Sequence, residues 1–361
     1  AEVFRGEYLG TPVAVKKVKA NGIVESIDSE TRHEVAVMKE LRHPNIVLFM
    51  GLANSEEGRM CIVSEFISGG SLGDLLGSKK PLPWAVRLKL AWEIACAVGY
   101  LHSRDLLHRD LKEENVLIDD SYRAKVADFG LATVVEAEDA AAMEAVGSLW
   151  WRAPEVDSGS YSTKADVFSF GIVLSAIVSR VPGEELRIAG TVSQKLSFRF
   201  SLERFMENLR GSALQCPAPL LDLVEGCCNP VPEERLSMAE VTARLQELHG
   251  TLLTLQHMIS CHIPGSIAGQ EQWFELVSSR AGCVDHGKLV CAKGELVEAM
   301  CRRVRLQTGV VLEEDQRAFL VESLAYIRGD SVPISGYADF WDWWEGSERT
   351  LLLPLVKPLW Q

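Results

Sequence analysis

Apolar positions at the front of the chain follow two periods in turn. Val13-Ala14-Val15-Lys16 carries an apolar run into a lysine, as in a half-buried strand that delivers one ammonium into a cleft. From Arg32 to Leu41 the spacing becomes helical, with Glu34 on the helix and Met38 one turn later expected to pack inward. The longest apolar candidate, Gly171 to Val178, is a short helix segment well below the roughly eighteen residues of a membrane span. Thr251 to Gly269 mixes a short apolar helix with Pro264, Gly265 and Gly269, the best linker signal in the chain. Beyond it, Gln272 to Val277, Lys293 to Arg305 and Glu313 to Ile327 read as helices, and Phe319, Leu320, Leu324 and Ile327 share one face. The fold class expected is α+β, with a mixed first domain at 1–248, a linker at 249–270 and a second, mostly α-helical domain at 271–361.

Composition narrows this picture without changing it. A chain of 361 residues suits two domains, and 47% hydrophobic residues suffice for ordinary cores. A net charge of -13 argues against nucleic acid or an anionic membrane as the main partner. Nine cysteines without a Cys-x-x-Cys pair suit reduced thiols and a cytoplasmic setting. His257, Cys261, His262, Cys283, His286, Cys291 and Cys301 accumulate in one region, either as a zinc site or as ordinary thiols, although their spacings fit no standard finger. Asp285 to Leu289 and Gly329 to Ile334 each have a turn and an apolar strand residue but lack the carboxylates of a calcium loop.

The candidate chemistry is concentrated in His108-Arg109-Asp110-Leu111-Lys112-Glu113-Glu114-Asn115 and, thirteen residues after its Asn, Asp128-Phe129-Gly130. Together they supply a catalytic carboxylate, a phosphate-facing ammonium and two metal ligands, which points to phosphoryl transfer from ATP. Lys16 would then hold phosphates, with Glu34 as counter-charge; taken alone, the two could equally be solvated surface charges.

With these motifs in order, residues 1 to about 248 resemble a protein kinase domain of bilobal fold. Leu41-Arg42-His43-Pro44-Asn45-Ile46-Val47-Leu48-Phe49-Met50-Gly51 resembles the tyrosine-kinase-like group of Ser/Thr kinases. The resemblance implies ATP and magnesium, or manganese, as cofactors and protein hydroxyls as acceptors in signalling. It implies that Asp110 orients and deprotonates the acceptor, that Lys112 stabilises the transferring phosphoryl, and that Asn115 and Asp128 hold the metal. Val3, Ala14, Lys16 and Glu34 would line the nucleotide site. Ser64 would be a small gatekeeper, with Glu65 and Ile67 as adenine-binding hinge residues. Ala153-Pro154-Glu155 closes the activation segment; Glu155 and Arg235 would form a buried ion pair, while Asp166 would anchor the catalytic-loop backbone from a central helix.

Lys112 together with Ser148 resembles the Ser/Thr arrangement, dual specificity being the alternative, and Trp151-Arg152 departs from the usual Trp-Met pair. The segment between Gly130 and Ala153 carries Glu136, Glu138, Asp139 and Glu144, either a solvated acidic loop or a carboxylate partner for Arg109 in place of a phosphate. Ala1 to Gly6 resembles the end of a Gly-rich loop, so the family's first strand and first two glycines are expected before residue 1.

At the other end, Phe340-Trp341-Asp342-Trp343-Trp344-Glu345 and Pro358-Leu359-Trp360-Gln361 resemble the helical linker of STAT transcription factors, which precedes a phosphotyrosine-binding Src-homology domain. Such a reader of phosphotyrosine proteins is expected past residue 361. Two classes of function follow, an active kinase or a non-catalytic scaffold that keeps the kinase shape. The full set Lys16, Glu34, Asp110, Asn115 and Asp128 favours the first, because a scaffold has no need of phosphate and metal ligands.

Overall fold

A computed structural model describes residues 2–18, 29–56, 58–78, 82, 84–129, 132–134, 148, 150–159, 161–181, 183, 192–193, 199–200, 205, 218–261, 283–285, 288–292 and 331–333. The alternating segment around Val13 is β2 (Thr11–Lys17), and it pairs antiparallel with β1 (Glu2–Tyr8). Their connection is Leu9-Gly10, both with positive φ (50° and 80°), the mirror-image turn whose twist matches a right-handed hairpin. With β3 (Phe49–Asn54) and β4 (Met60–Glu65) these strands make a four-stranded sheet of order β1-β2-β4-β3.

The helical period at 32–41 appears as α1 (Ser29–Glu40), which buries Val35, Val37 and Met38. Past the sheet the chain enters α2 (Leu72–Gly77), whose N-terminus is closed by a reciprocal pair: Ser71 Oγ accepts the Asp74 N–H, and Asp74 Oδ2 accepts the Ser71 N–H. That arrangement satisfies donors a short helix would otherwise leave orphaned. α3 (Trp84–His102) follows, then β5 (Leu106–Leu107), β6 (Val116–Ile118), β7 (Ala124–Val126) and β8 (Thr133–Val134), with β6 pairing β7 and β5 pairing β8.

α4 (Thr163–Ser179) is buried from Ala165 to Ser179, so the apolar segment at 171–178 is the centre of a helical core. It starts at Ser162, whose Oγ accepts the Lys164 N–H, and ends at Arg180 in the left-handed conformation. Short strands β9 (Val192–Ser193) and β10 (Arg199–Phe200) pair with each other, and α5 (Ala218–Cys227) packs on α4. A sheet lobe and a helical lobe therefore share one chain segment, as in a bilobal kinase.

α6 (Met238–Cys261) runs through His249 and Gly250 without a break, so the boundary expected at 248 falls inside a helix. The apolar spacing of Leu245, Leu248, Leu252 and Leu255 continues across it, and one glycine inside a helix costs only about 1 kcal/mol. Farther on are β11 (Cys283–Asp285), β12 (Lys288–Ala292) and β13 (Ser331–Pro333), a three-stranded antiparallel sheet in the order β11-β12-β13. Its last two strands come from the two loops that were read as having an apolar strand residue. The helices expected at 272–277, 293–305 and 313–327 and the aromatic segment at 340–345 lie outside the described residues. The chain divides into two compact units, 1–79 with 90–245, and 80–89 with 246–361. No helix among the described residues is long and apolar enough to cross a membrane.

Candidate active site

The sheet register brings the expected nucleotide residues together. Val3 lies opposite Lys16, and Ala14 lies opposite both Arg5 and Ser64. Opposed residues point to the same side of a sheet and alternate positions share a face, so Val3, Ala14, Lys16 and Ser64 lie on one face. Lys16 Nζ reaches Asp128 Oδ1 at 3.0 Å, which joins the sheet lobe to the second motif. Glu34 belongs to α1, but its side chain lies outside the described residues.

Glu65 does more than the hinge role expected of its backbone. Its N–H donates to the Leu48 carbonyl (3.0 Å), and its Oε1 accepts from the Leu48 N–H and from Lys125 Nζ, each at 2.7 Å. Ile67 is half-buried two residues farther on. The chain then crosses to the helical lobe, where the Gly69 N–H donates to the Ile118 carbonyl and the Ile118 N–H to the Gly70 carbonyl, both at 2.9 Å.

Every oxygen of the Asp110 carboxylate is held. The Ser148 N–H donates to Oδ1 (2.7 Å); Lys112 Nζ (2.8 Å) and Asn115 Nδ2 (3.0 Å) donate to Oδ2. Lys112 Nζ also donates to Ser148 Oγ at 2.7 Å. Burial alone would raise the Asp110 pKa, but the hydrogen bonds and charge of Lys112 and the bonds from Ser148 outweigh it and hold the carboxyl below its ordinary range. Such a group is a weak base and a well-aimed acceptor, suited to orienting a hydroxyl.

Beneath it, Asp166 on α4 ties the loop down. The N–H groups of His108 and Arg109 donate to Oδ2 (2.8 Å) and Oδ1 (3.0 Å), and His102 Nε2 lies 3.0 Å from Oδ2. Burial would raise the Asp166 pKa, yet the hydrogen bond and charge of His102 and those of His108 together lower it. Arg109 sits at φ 64° and Asp128 at φ 60°, a conformation that carries strain for residues other than glycine. The Asp166 tether supplies what holds Arg109 there. His108 is fully buried, with Nε2 3.1 Å from the Ala127 carbonyl and its ring against Phe129, itself fully buried.

Asn115 Nδ2 also donates to the Asp110 carbonyl at 2.7 Å, which turns its amide oxygen the other way. That oxygen and the half-exposed carboxylate of Asp128 are hard donors of the kind magnesium takes, together with phosphate oxygens and water. The donor set therefore fits the metal the motifs imply.

Glu155 and Arg235 form a two-pronged pair, Nη1 to Oε1 at 2.6 Å and Nη2 to Oε2 at 2.8 Å. The Arg109 guanidinium stands over the Tyr161 ring, 5.7 Å from its centroid. The acids offered as its partners, Glu136, Glu138, Asp139 and Glu144, and also Gly130, lie outside the described residues, as do the side chains of the His/Cys group at 257–301. Three groups escaped the sequence reading: His102, Lys125 and Glu113. Only Glu113 left a signal, a carboxylate inside the catalytic motif, three residues past Asp110.

Comparison with known proteins agrees with this geometry. The family model for the protein kinase domain matches residues 2–245. A "probable serine/threonine-protein kinase kinX" of Dictyostelium discoideum is 36% identical over 70% of this chain and 23% of its own length. The "dual specificity testis-specific protein kinase 1" of Rattus norvegicus is 40% identical over 61% of this chain and 35% of its own. A "probable serine/threonine-protein kinase drkD" of Dictyostelium discoideum is 41% identical over 66% of this chain and 18% of its own. The chain thus spans well under half the length of these relatives. With a match over more than half of its residues, with Asp110, Lys112 and Asn115 hydrogen-bonded together on a loop tied to Asp166, and with Lys16 on Asp128, the chain belongs to the protein kinase family.

Proposed function

We propose that the chain is a Ser/Thr protein kinase that transfers the γ-phosphoryl group of ATP to protein hydroxyls. The observation that carries this reading is the closed set of bonds among Asp110, Lys112 and Ser148. Asp110 accepts the incoming hydroxyl and aims its oxygen at phosphorus, and Lys112 faces the charge that develops on the transferred group. Ser148 fixes both from the substrate side, which leaves a shallow cleft suited to Ser or Thr, with dual specificity as the alternative. Lys16 and the face shared by Val3, Ala14 and Ser64 receive the nucleotide. Because the Glu65 N–H is already engaged, its adenine contact runs through its carbonyl, alongside Ile67. Magnesium, or manganese in its place, neutralises phosphate charge when held by Asn115 and Asp128.

The resemblance at 41–51 supports membership of the tyrosine-kinase-like group, that at 340–361 supports a helical segment leading to a phosphotyrosine-binding module, and the cysteines without a Cys-x-x-Cys pair suit a cytoplasmic signalling role. The test is magnesium-ATP-dependent phosphorylation of a generic protein by the full-length enzyme, with Asp128→Ala as control and phosphoamino-acid analysis. Phosphoserine or phosphothreonine that vanishes in the control is the expected result. A folded protein that incorporates nothing would make it a scaffold.

A further inference from the structure

Glu113 has no part in the chemistry above, yet it is 1% exposed and lies three residues from the catalytic Asp110. Its Oε1 accepts the Gly183 N–H at 3.1 Å, while its Oε2 has no partner at full hydrogen-bond geometry among the described residues, although the nearby Trp151 indole N–H already favours its charged form. Trp151 Nε1, also buried, has none either. The two groups are neighbours: a methyl placed on Gly183 would stand 2.9 Å from Glu113 Oε1 and 3.0 Å from Trp151 Nε1. A buried acceptor and a buried donor, both wanting a partner and facing one small space, are complementary.

The Trp151 backbone is already part of the site. Its N–H donates to the Ser148 carbonyl (3.1 Å), and its carbonyl accepts from Ser169 Oγ on α4 (2.7 Å). The turn 148–151 therefore carries at one end the Ser148 contacts with Asp110 and Lys112, and at the other the indole beside Glu113. Moving Trp151 moves Ser148, and with it the carboxylate that must meet the acceptor hydroxyl.

We propose that Glu113 is a positioning residue for the protein substrate: its carboxyl takes the Trp151 indole N–H when the acceptor segment docks on 148–153, and so locks the turn that aims Asp110. The inference deepens the kinase reading and rests on it. A glutamate in the catalytic motif is then a device for acceptor binding, independent of nucleotide binding.

Glu113→Met keeps the length of the side chain and removes its oxygens, Glu113→Gln keeps one acceptor, and Trp151→Phe removes the donor. Loss of this hydrogen bond predicts a KM for a peptide substrate raised roughly tenfold in Glu113→Met and Trp151→Phe, with Glu113→Gln in between because its one amide oxygen must serve two donors, and the KM for ATP unchanged. The double variant Glu113→Met, Trp151→Phe is no worse than either single one, since each breaks the same link. Hydrogen exchange gives a readout that does not need activity: with an acceptor peptide bound, the Trp151 amide exchanges faster in Glu113→Met than in wild type, while the amides of α4 do not. Equal peptide KM in Glu113→Met and wild type, a parallel rise in the KM for ATP, or unchanged exchange at Trp151 overturns the proposal. A wild-type enzyme that transfers no phosphate sinks the kinase reading instead, and the exchange comparison still decides the role of Glu113.

Discussion

Buried carboxyl groups in this site are governed by what surrounds each one, and three of them diverge. Asp110 and Asp166 are surrounded by donors and held below the ordinary range, so both remain ionised and directional. At Glu113 burial, with the charge of Glu114 adding to it, outweighs its own backbone N–H, the Trp151 indole and the Gly183 N–H and pushes the pKa up to about 7 from an ordinary 4.5. For an acid raised on folding, the folded state holds the proton over a pH range where the unfolded chain has lost it. Stability is then unaffected below about 4.5, falls as pH rises towards 7, and carries the full penalty above it. That penalty is about 3 kcal/mol at one pKa unit per 1.36 kcal/mol. Urea unfolding at pH 5 and pH 8 should show wild type losing more stability across this interval than Glu113→Gln, which has no charge to bury. Parallel profiles for the two proteins would mean that the carboxyl stays solvated.

At the level of elements, the hinge depends on a contact that tolerates no side chain. A Cβ on Gly69 would lie 2.4 Å from the Ile118 carbonyl oxygen, closer than any real contact, and the obstacle is backbone in β6. The same carbonyl accepts the Gly69 N–H, so Gly69→Ala must open the bond that joins hinge to catalytic strand. Loss of that bond together with strain predicts a destabilisation of about 1–3 kcal/mol and a raised KM for ATP, read by thermal unfolding and by nucleotide titration. An alanine variant with wild-type Tm and KM would show that the crossing is slack. Nothing in the local sequence announces this requirement, because Gly69 and Ile118 meet only through the pairing of distant segments. By contrast, α1 and β2 were legible from period alone, since their faces are set by residues three or two apart.

For the molecule as a whole, the residues proposed for catalysis were legible in the sequence because phosphoryl transfer imposes fixed spacings on neighbouring residues, as from Asp110 to Asn115. The sequence did not supply the Lys16 contact with Asp128 or the Glu65 contact with Lys125, which depend on how sheet and helical segments meet. Arg235 shows how such long-range contacts integrate the helical lobe. Its Nε donates to the Asn229 carbonyl (2.6 Å), Nη1 to the Lys164 carbonyl (2.8 Å), and its fork grips Glu155, while Phe168 lies under the guanidinium at 5.0 Å. One side chain with no exposed surface thus fastens the end of the activation segment, the start of α4 and the turn before α6. Removing a single partner of a buried pair leaves the other charge without compensation, at a cost of about 3–5 kcal/mol, whereas replacing both by apolar groups is often nearly neutral. Arg235→Met should therefore lower stability more than Glu155→Leu, because it also gives up the bonds to the Asn229 and Lys164 carbonyls. The double variant should recover part of the loss from Arg235→Met, and a double-mutant cycle by urea unfolding measures the coupling. If the two single losses simply add, the pair is too well solvated to act as the fastening of the lobe.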